Sequence, residues 1–277
     1  MIRVALDGLR SRALLSVGTL LLLVVALGSA VLGPSFAAAV GNAYAVTRLA
    51  EERNVLTGRT WEVRPSGSTD DPAALLDDTL AQLVLPEDQH APTAQLETAR
   101  ALAPGALGEV MLMAKPDACS HLDLDGRCPS APGEVAVLAG DAEEDGHEVG
   151  DRIDLGGRFG TLTLVGTYAY PSGPTVAADR REALEDFWFE PGRLASVPAT
   201  VRTGTEVPRQ PAPYLVAPEQ LAGLPPSLLV VRVDSRIDVA ADLDAAELPA
   251  LARRAAADPA PQQLEVGTAA EISNNDL

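Results

Sequence analysis

Among the residues whose types and spacing could do chemistry, the two cysteines stand closest together. Cys119 and Cys128 enclose Ser-His-Leu-Asp-Leu-Asp-Gly-Arg. In an exported domain such a pair reads as a loop-closing disulfide, worth about 2.7 kcal/mol in the chain-entropy model. The competing chemistry is zinc held by Cys119, His121 and Cys128, but it lacks a clear fourth ligand and paired C-x-x-C spacing. Asp123, Leu124, Asp125 and Gly126 open like a calcium loop. The third acidic ligand and the distal Glu do not follow, so a solvated turn is expected there.

Catalytic constellations are thin. His90, His121 and His147 are the only histidines; none lies in an H-E-x-x-H helix or beside a G-x-S-x-G elbow, and they read as surface residues. Gly33-Pro-Ser-Phe-Ala37 departs from the elbow at its last position. Carboxylates cluster at Asp70 and Asp71, at Asp77 and Asp78, and from Asp141 to Glu148. Adjacent carboxylates in one polar segment predict solvated faces and not the paired acids of a glycosidase cleft. The single lysine, Lys115, sits between Ala114 and Pro116, outside any Gly-Lys-Ser/Thr phosphate loop. No catalytic residue, cofactor or metal ligand is therefore expected, and the chain reads as a non-enzyme.

These groups must be positioned by 277 residues of which 47% are hydrophobic and 4% aromatic. The net charge of −18 argues against nucleic acid as a partner, since phosphate neutralisation needs surplus Lys and Arg. Apolar residues are unevenly spread. Ala13 to Leu32 is a nearly pure aliphatic run of 20 residues, about 30 Å as a helix, matching a bilayer core. Arg3, Arg10 and Arg12 against Asp7 leave the first 47 residues at +2 and the rest at −20. Arg3, Arg10 and Arg12 lie before the span and Arg48 and Arg53 farther beyond it, which favours a cytoplasmic N-terminus and an acidic body outside the cytoplasm. Ile2, Leu6, Leu9 and Ala13 share a helix face suited to the membrane interface; an ordinary basic leader reads equally well. Gly28-Ser29-Ala30 and Ala37-Ala38-Ala39 offer signal-peptidase sites. The length of the apolar run favours an anchor, and either reading exports the body. The expected division is residues 1–12 as an interfacial segment, 13–35 as a transmembrane helix and 36–277 as an extracytoplasmic domain.

In that body Asp71 and Pro72 form a strong helix start, followed by Leu75, Leu76, Leu80 and Leu83 at helical spacing until Pro86. Thr93 to Ala103 is expected to be a second helix. Glu109 to Met113 and Glu134 to Leu138 are β-prone. Arg152 to Leu155 and Thr161 to Val165 alternate around Gly156 and Gly157 and read as a hairpin. Ala178 to Phe189 is a charged helix. Eight prolines between Pro191 and Pro226 imply connections, with a short strand at Tyr214 to Ala217. Leu228 to Val233 is a buried-strand candidate, and Val239 to Ala257 is expected to be helical. Irregular alternation of helices and strands predicts an α+β domain.

Two stretches carry a resemblance. Ala5 to Ser16, leading into the apolar run, resembles the start of FtsX/MacB-like ABC transporter permeases. Gly133-Glu-Val-Ala-Val137, then Glu148-Val-Gly-Asp151, the hairpin, and Leu164-Val-Gly-Thr-Tyr168 are similar to that family's extracytoplasmic core domain. The resemblance covers roughly the first 35 residues and about 130 to 170. It implies a membrane subunit in contact with the lipid bilayer and working with a separate cytoplasmic ATPase and a second permease copy. Such permeases carry further spans after the outer domain. No second apolar run precedes Leu277, so a truncated chain or a single-span relative is expected.

Overall fold

The computed structural model describes residues 2–51, 58–83, 91–98, 101–102, 109–202, 205–207, 209–236, 247, 250, 253 and 267–274. The chain divides into two compact units, Met1–Glu52 with Val239–Arg253, and Arg53–Asp238 with Arg254–Leu277.

The long element described in the first unit is the helix α1 (Ile2–Glu51). It runs past residue 35, through Pro34, as a single 50-residue element. Proline lacks an N–H and removes one helical hydrogen bond, a loss that apolar helices tolerate where neighbouring groups or a local adjustment satisfy the freed carbonyl. The hydroxyls of Ser29 and Thr47 donate back to the carbonyls of Val25 and Ala43, both at 2.8 Å, and so satisfy themselves within the helix. The helix expected over Val239 to Ala257 lies outside the described residues except at 247, 250 and 253, as do His90 and the side chains of Ile2, Leu6, Leu9 and Ala13.

The second unit is the mixed α/β domain expected. Its strands are β1 (Gly58–Pro65), β2 (Thr93–Thr98), β3 (Ala101–Leu102), β4 (Glu109–Val110), β5 (Leu112–Ala114), β6 (Asp123–Gly126) and β7 (Glu134–Leu138). Then come β8 (Arg152–Asp154), β9 (Thr161–Ala169), β10 (Thr200–Arg202), β11 (Thr205–Val207), β12 (Tyr214–Leu215), β13 (Leu229–Arg236) and β14 (Gly267–Asn274). Among the described residues the α-helices between them are α2 (Pro72–Gln82), α3 (Ala139–Asp145) and α4 (Ala178–Trp188). One sheet of ten strands has the order β14-β1-β13-β2-β5-β12-β7-β9-β6, with β8 also on β9. Its pairs are antiparallel except β5 with β12 and β7 with β9. β3 with β4 and β10 with β11 form separate two-stranded ladders.

The α2 start follows the sequence: Asp71 caps the helix by accepting from the Ala74 N–H at 3.0 Å, and Leu75 and Leu76 are buried. The hairpin also forms, pairing Arg152 with Thr163 and Asp154 with Thr161. Gly156 and Gly157 take φ of 65° and 54°, values that an L side chain rarely adopts. Two expectations are overturned. The described part of Thr93 to Ala103 is strand and not helix, β2 over Thr93–Thr98 and β3 over Ala101–Leu102, because the residues of β2 alternate instead of recurring at helical spacing. Ala94 and Leu96 enter one apolar core, while Gln95 and Glu97 are buried on the opposite face. Asp123 to Gly126 is likewise a strand and not a turn, pairing Asp123 with Ala169 and Gly126 with Gly166.

The sheet has a core on each face. Trp61, Val63, Leu76, Leu96, Leu164, Val231 and Val233 fill one. Met111, Met113, Ala136, Tyr168, Leu184, Trp188 and Leu215 fill the other. Period-two alternation assigns the faces.

Candidate functional site

The Cys119 and Cys128 sulfurs are joined at 2.04 Å, with Cα atoms 5.9 Å apart. The bond consumes both thiolates, so the alternative zinc site with His121 has lost two of its three ligands. The loop begins at Asp117, which takes a left-handed φ of 57° and enters the 3-10 turn Ala118–His121. Beyond Cys128 the chain is tied down by Glu134. Its carboxylate accepts from the Ser130 N–H at 2.9 Å and the Arg127 guanidinium at 2.7 Å. The Arg127 bond holds Glu134 well below the usual carboxylate range, at about 2.

His121 is not a free surface histidine. Its ring stacks on Phe187 with centroids 3.7 Å apart, and Trp188 meets Phe187 edge-on at 4.9 Å. The charged helix α4 thus ends in aromatic residues that dock on the disulfide loop. Stacking and edge-on pairs of this kind contribute beyond simple burial.

Beside these rings the sheet carries a buried layer of charge. Arg193 donates to both oxygens of Glu97, at 2.6 and 2.8 Å. Arg232 donates to Asp234 at 3.0 Å, to Thr60 at 2.9 Å and to Glu190 at 2.9 Å. The Thr60 hydroxyl donates to Asp234 at 2.6 Å, and Arg236 pairs with Asp186. Lys115 lies in the same layer, donating to Gln95 at 3.3 Å with its ammonium 4.9 Å from the Phe187 centroid. Burial lowers its pKa to about 8, with Asp234 and Glu97 opposing and Arg232 adding to the fall. Hydrophobic periodicity gives no sign of this layer. The one available signal was the density of charges in otherwise β-prone runs.

A second buried ionic node departs from the solvated reading of the Asp141 to Glu148 cluster at Asp141 and Asp145. Asp141 is 1% exposed. It accepts from Arg209 at 2.5 Å and from the Ala212 N–H at 2.7 Å. Arg209 also reaches Asp145 at 2.8 Å. These bonds fasten the proline-rich connection to α3, and the other cluster residues Glu143, Glu144 and Glu148 are exposed.

A cavity of about 320 Å³ opens between the end of β5, the disulfide loop and β12, with Lys115, Asp117, Leu215 and the two cysteines among its lining. Among the described residues no group of three or more His, Cys, Asp or Glu side chains is placed to hold a metal.

In the other unit, Val17–Tyr44 is long and apolar enough to cross a membrane. Leu20 to Val25, Leu27, Leu32, Phe36, Val40 and Tyr44 are all exposed. A helix apolar all round needs lipid or other helices for solvent.

No protein-family model and no curated protein matches the chain. Among solved structures, a domain assigned to a permease protein of Porphyromonas gingivalis is similar at 13% identity, covering 80% of this chain and 91% of that one, with a TM-score of 0.33. A likeness of that degree carries no argument about activity, and it does not reach the FtsX or MacB type.

Proposed function

We propose that this chain is a membrane-anchored permease subunit of the FtsX/MacB type, whose outer domain works with a separate cytoplasmic ATPase in export or in transmitting movement across the envelope. The observation that carries the reading is the pairing, in one chain, of an apolar helix of bilayer length with an α/β domain closed by a disulfide. Disulfides persist in oxidising compartments, which supports an extracytoplasmic domain; Arg3, Arg10 and Arg12 before the span support a cytoplasmic N-terminus. The chain itself has no phosphate loop, so ATP hydrolysis falls to the partner and no catalytic role to this subunit. A second permease copy completes the assembly.

The test is purification of the full-length protein from its native membrane under mild detergent. The expected result is a stoichiometric co-purified protein with a phosphate-binding loop, whose ATPase rate changes several-fold on reconstitution with this chain. Absence of any such ATPase overturns the reading. The small-residue sites ending at Ala30 and Ala39 favour one other function, an exported binding module. A mature N-terminus just after either residue, read by mass spectrometry, would establish that alternative instead.

A further inference from the structure

The Cys119–Cys128 bond sits where a thiol can reach it. Cys128 is exposed and Cys119 half-buried. Both line the 320 Å³ cavity together with their chain neighbours Ala118, Ser120 and Pro129, so a small thiol has room beside the loop. Disulfides break by attack of a thiolate on one sulfur, and exposed ones are the labile, regulatory kind.

What the bond holds is local. The two cysteines are nine positions apart, and the second half of their loop is secured without them. Asp123 to Gly126 pair with β9, the Arg127 N–H donates to the Val165 carbonyl at 3.0 Å, and the Arg127 guanidinium donates to Glu134 at 2.7 Å. The sheet therefore does not need the covalent link. The first half is the 3-10 turn Ala118–His121, entered through the left-handed Asp117. Its backbone bonds are short-range, from Ala118 to the Lys115 carbonyl at 3.2 Å and from Ser120 to the Asp117 carbonyl at 3.0 Å, and the disulfide tethers it to the anchored half. That turn carries His121, whose ring stacks on Phe187 and whose carbonyl accepts from the buried Trp188.

We propose that the Cys119–Cys128 disulfide is a redox switch, opened by an extracytoplasmic dithiol, that sets whether the Ala118–His121 turn holds the end of α4. An oxidising compartment keeps the bond closed at rest. On opening, a thiolate of the dithiol attacks the sulfur of Cys128, the more exposed residue. The disulfide breaks, and its electron pair leaves on Cys119 as a thiolate. The second thiolate of the dithiol then attacks its partner sulfur in the mixed disulfide, closing a disulfide of its own and releasing Cys128. The dithiol is oxidised by two electrons, the protein is reduced by two, and the two protons of the dithiol end on Cys119 and Cys128. With the tether cut, the turn separates from α4, so that Trp188 loses its acceptor and Phe187 its stacked ring, while β6 stays paired. The switch stands apart from any partnership with an ATPase.

The experiment uses full-length protein in lipid nanodiscs, labelled with fluorotryptophan. The chain has two tryptophans, and either Trp61→Phe or Trp188→Phe assigns their resonances; Trp61 lies in the opposite core and reports on the rest of the domain. Dithiothreitol is the probe, and alkylation followed by mass spectrometry counts the thiols. The expected result is two thiols per chain with far-ultraviolet dichroism unchanged. The Trp188 resonance should shift in proportion to those thiols and return with oxidised dithiothreitol, while Trp61 stays in place. A mixed disulfide trapped with glutathione should map to Cys128. Thiols that appear only as dichroism is lost, a Trp188 resonance that does not move or does not return, or an equal shift of Trp61 overturns the switch. A mixed disulfide at Cys119 alone overturns the order of attack.

Discussion

Trp188 donates its indole N–H to the carbonyl oxygen of His121 at 3.2 Å, joining residues 67 positions apart. His121 lies between the disulfide cysteines and Trp188 ends α4, so the bond ties the helix to the covalent loop. Docking of α4 over the buried charge layer therefore depends on a loop held shut by Cys119 and Cys128.

Removing the disulfide is expected to cost about 2.7 kcal/mol, the loop-closure value for about ten residues. A Cys119→Ser, Cys128→Ser double variant should show this loss in urea unfolding and should expose Trp188 to collisional quenching. Unchanged quenching and an unchanged midpoint would detach the loop from α4.

Stability should rise with pH between about 8 and 10. Lys115 has a folded-state pKa of about 8 against 10.5 when unfolded, so across that window the unfolded chain binds more protons. The burial penalty is fully present below pH 8 and is relieved above it, by on the order of 2 kcal/mol at pH 10. There is no other lysine and no free thiol to mask the effect. Above pH 10 the trend should reverse, because burial raises Tyr168 and pushes Tyr214 up to about 12. Denaturant melts of the wild type and Lys115→Met at pH 7 to 10 check this; the variant should lack the rise.

Two glycines, Gly166 in β9 and Gly157 in the turn before it, separate steric cost from backbone cost. A Cβ on Gly166 would lie 2.6 Å from the Arg127 carbonyl oxygen, whereas one on Gly157 meets nothing within 4 Å. Gly166→Ala must displace backbone and should cost more than about 2 kcal/mol. Gly157→Ala faces only its φ of 54° and should cost about 1 kcal/mol. Equal melting temperatures for the two would contradict the β6 to β9 register.

The Asp141 node should resist change to a lone partner. Arg209→Met leaves a carboxylate of 1% exposure without its guanidinium, an arrangement expected to cost about 3 to 5 kcal/mol. Asp141→Asn should be milder, since the amide oxygen can still accept from Ala212. Calorimetric midpoints in that order support the node, and the reverse order would reject it.

Much of this architecture is legible before any coordinates. Asp71 and Pro72 announce a helix start by their own backbone chemistry, Gly156 and Gly157 announce a turn, and Ala13 to Leu32 has bilayer length. The strand at Thr93–Thr98 reads as helix although Ala94 and Leu96 alternate with Gln95 and Glu97, because Ala, Gln, Leu and Glu are all strong helix formers and so short an alternation is outweighed by their propensity. Burial hid Glu97, Arg232 and Asp234, whose types ordinarily mean solvent. Lys115 could be read only as a missing phosphate loop until Gln95, Phe187 and Trp188 surrounded it.

The amino-acid sequence alone determined the properties that follow from neighbours along the chain: the apolar span and its basic flank, the α2 cap, the hairpin turn and the closeness of the two cysteines. Tertiary structure alone decided which charges are buried together, because ion pairs such as Arg193 with Glu97, 96 positions apart, have no local signature. It also decided that Lys115 borders a cavity. That result depends on β5, β12 and the disulfide loop converging, and long-range pairing of this kind is set by packing of the whole sheet and not by any one segment's propensity.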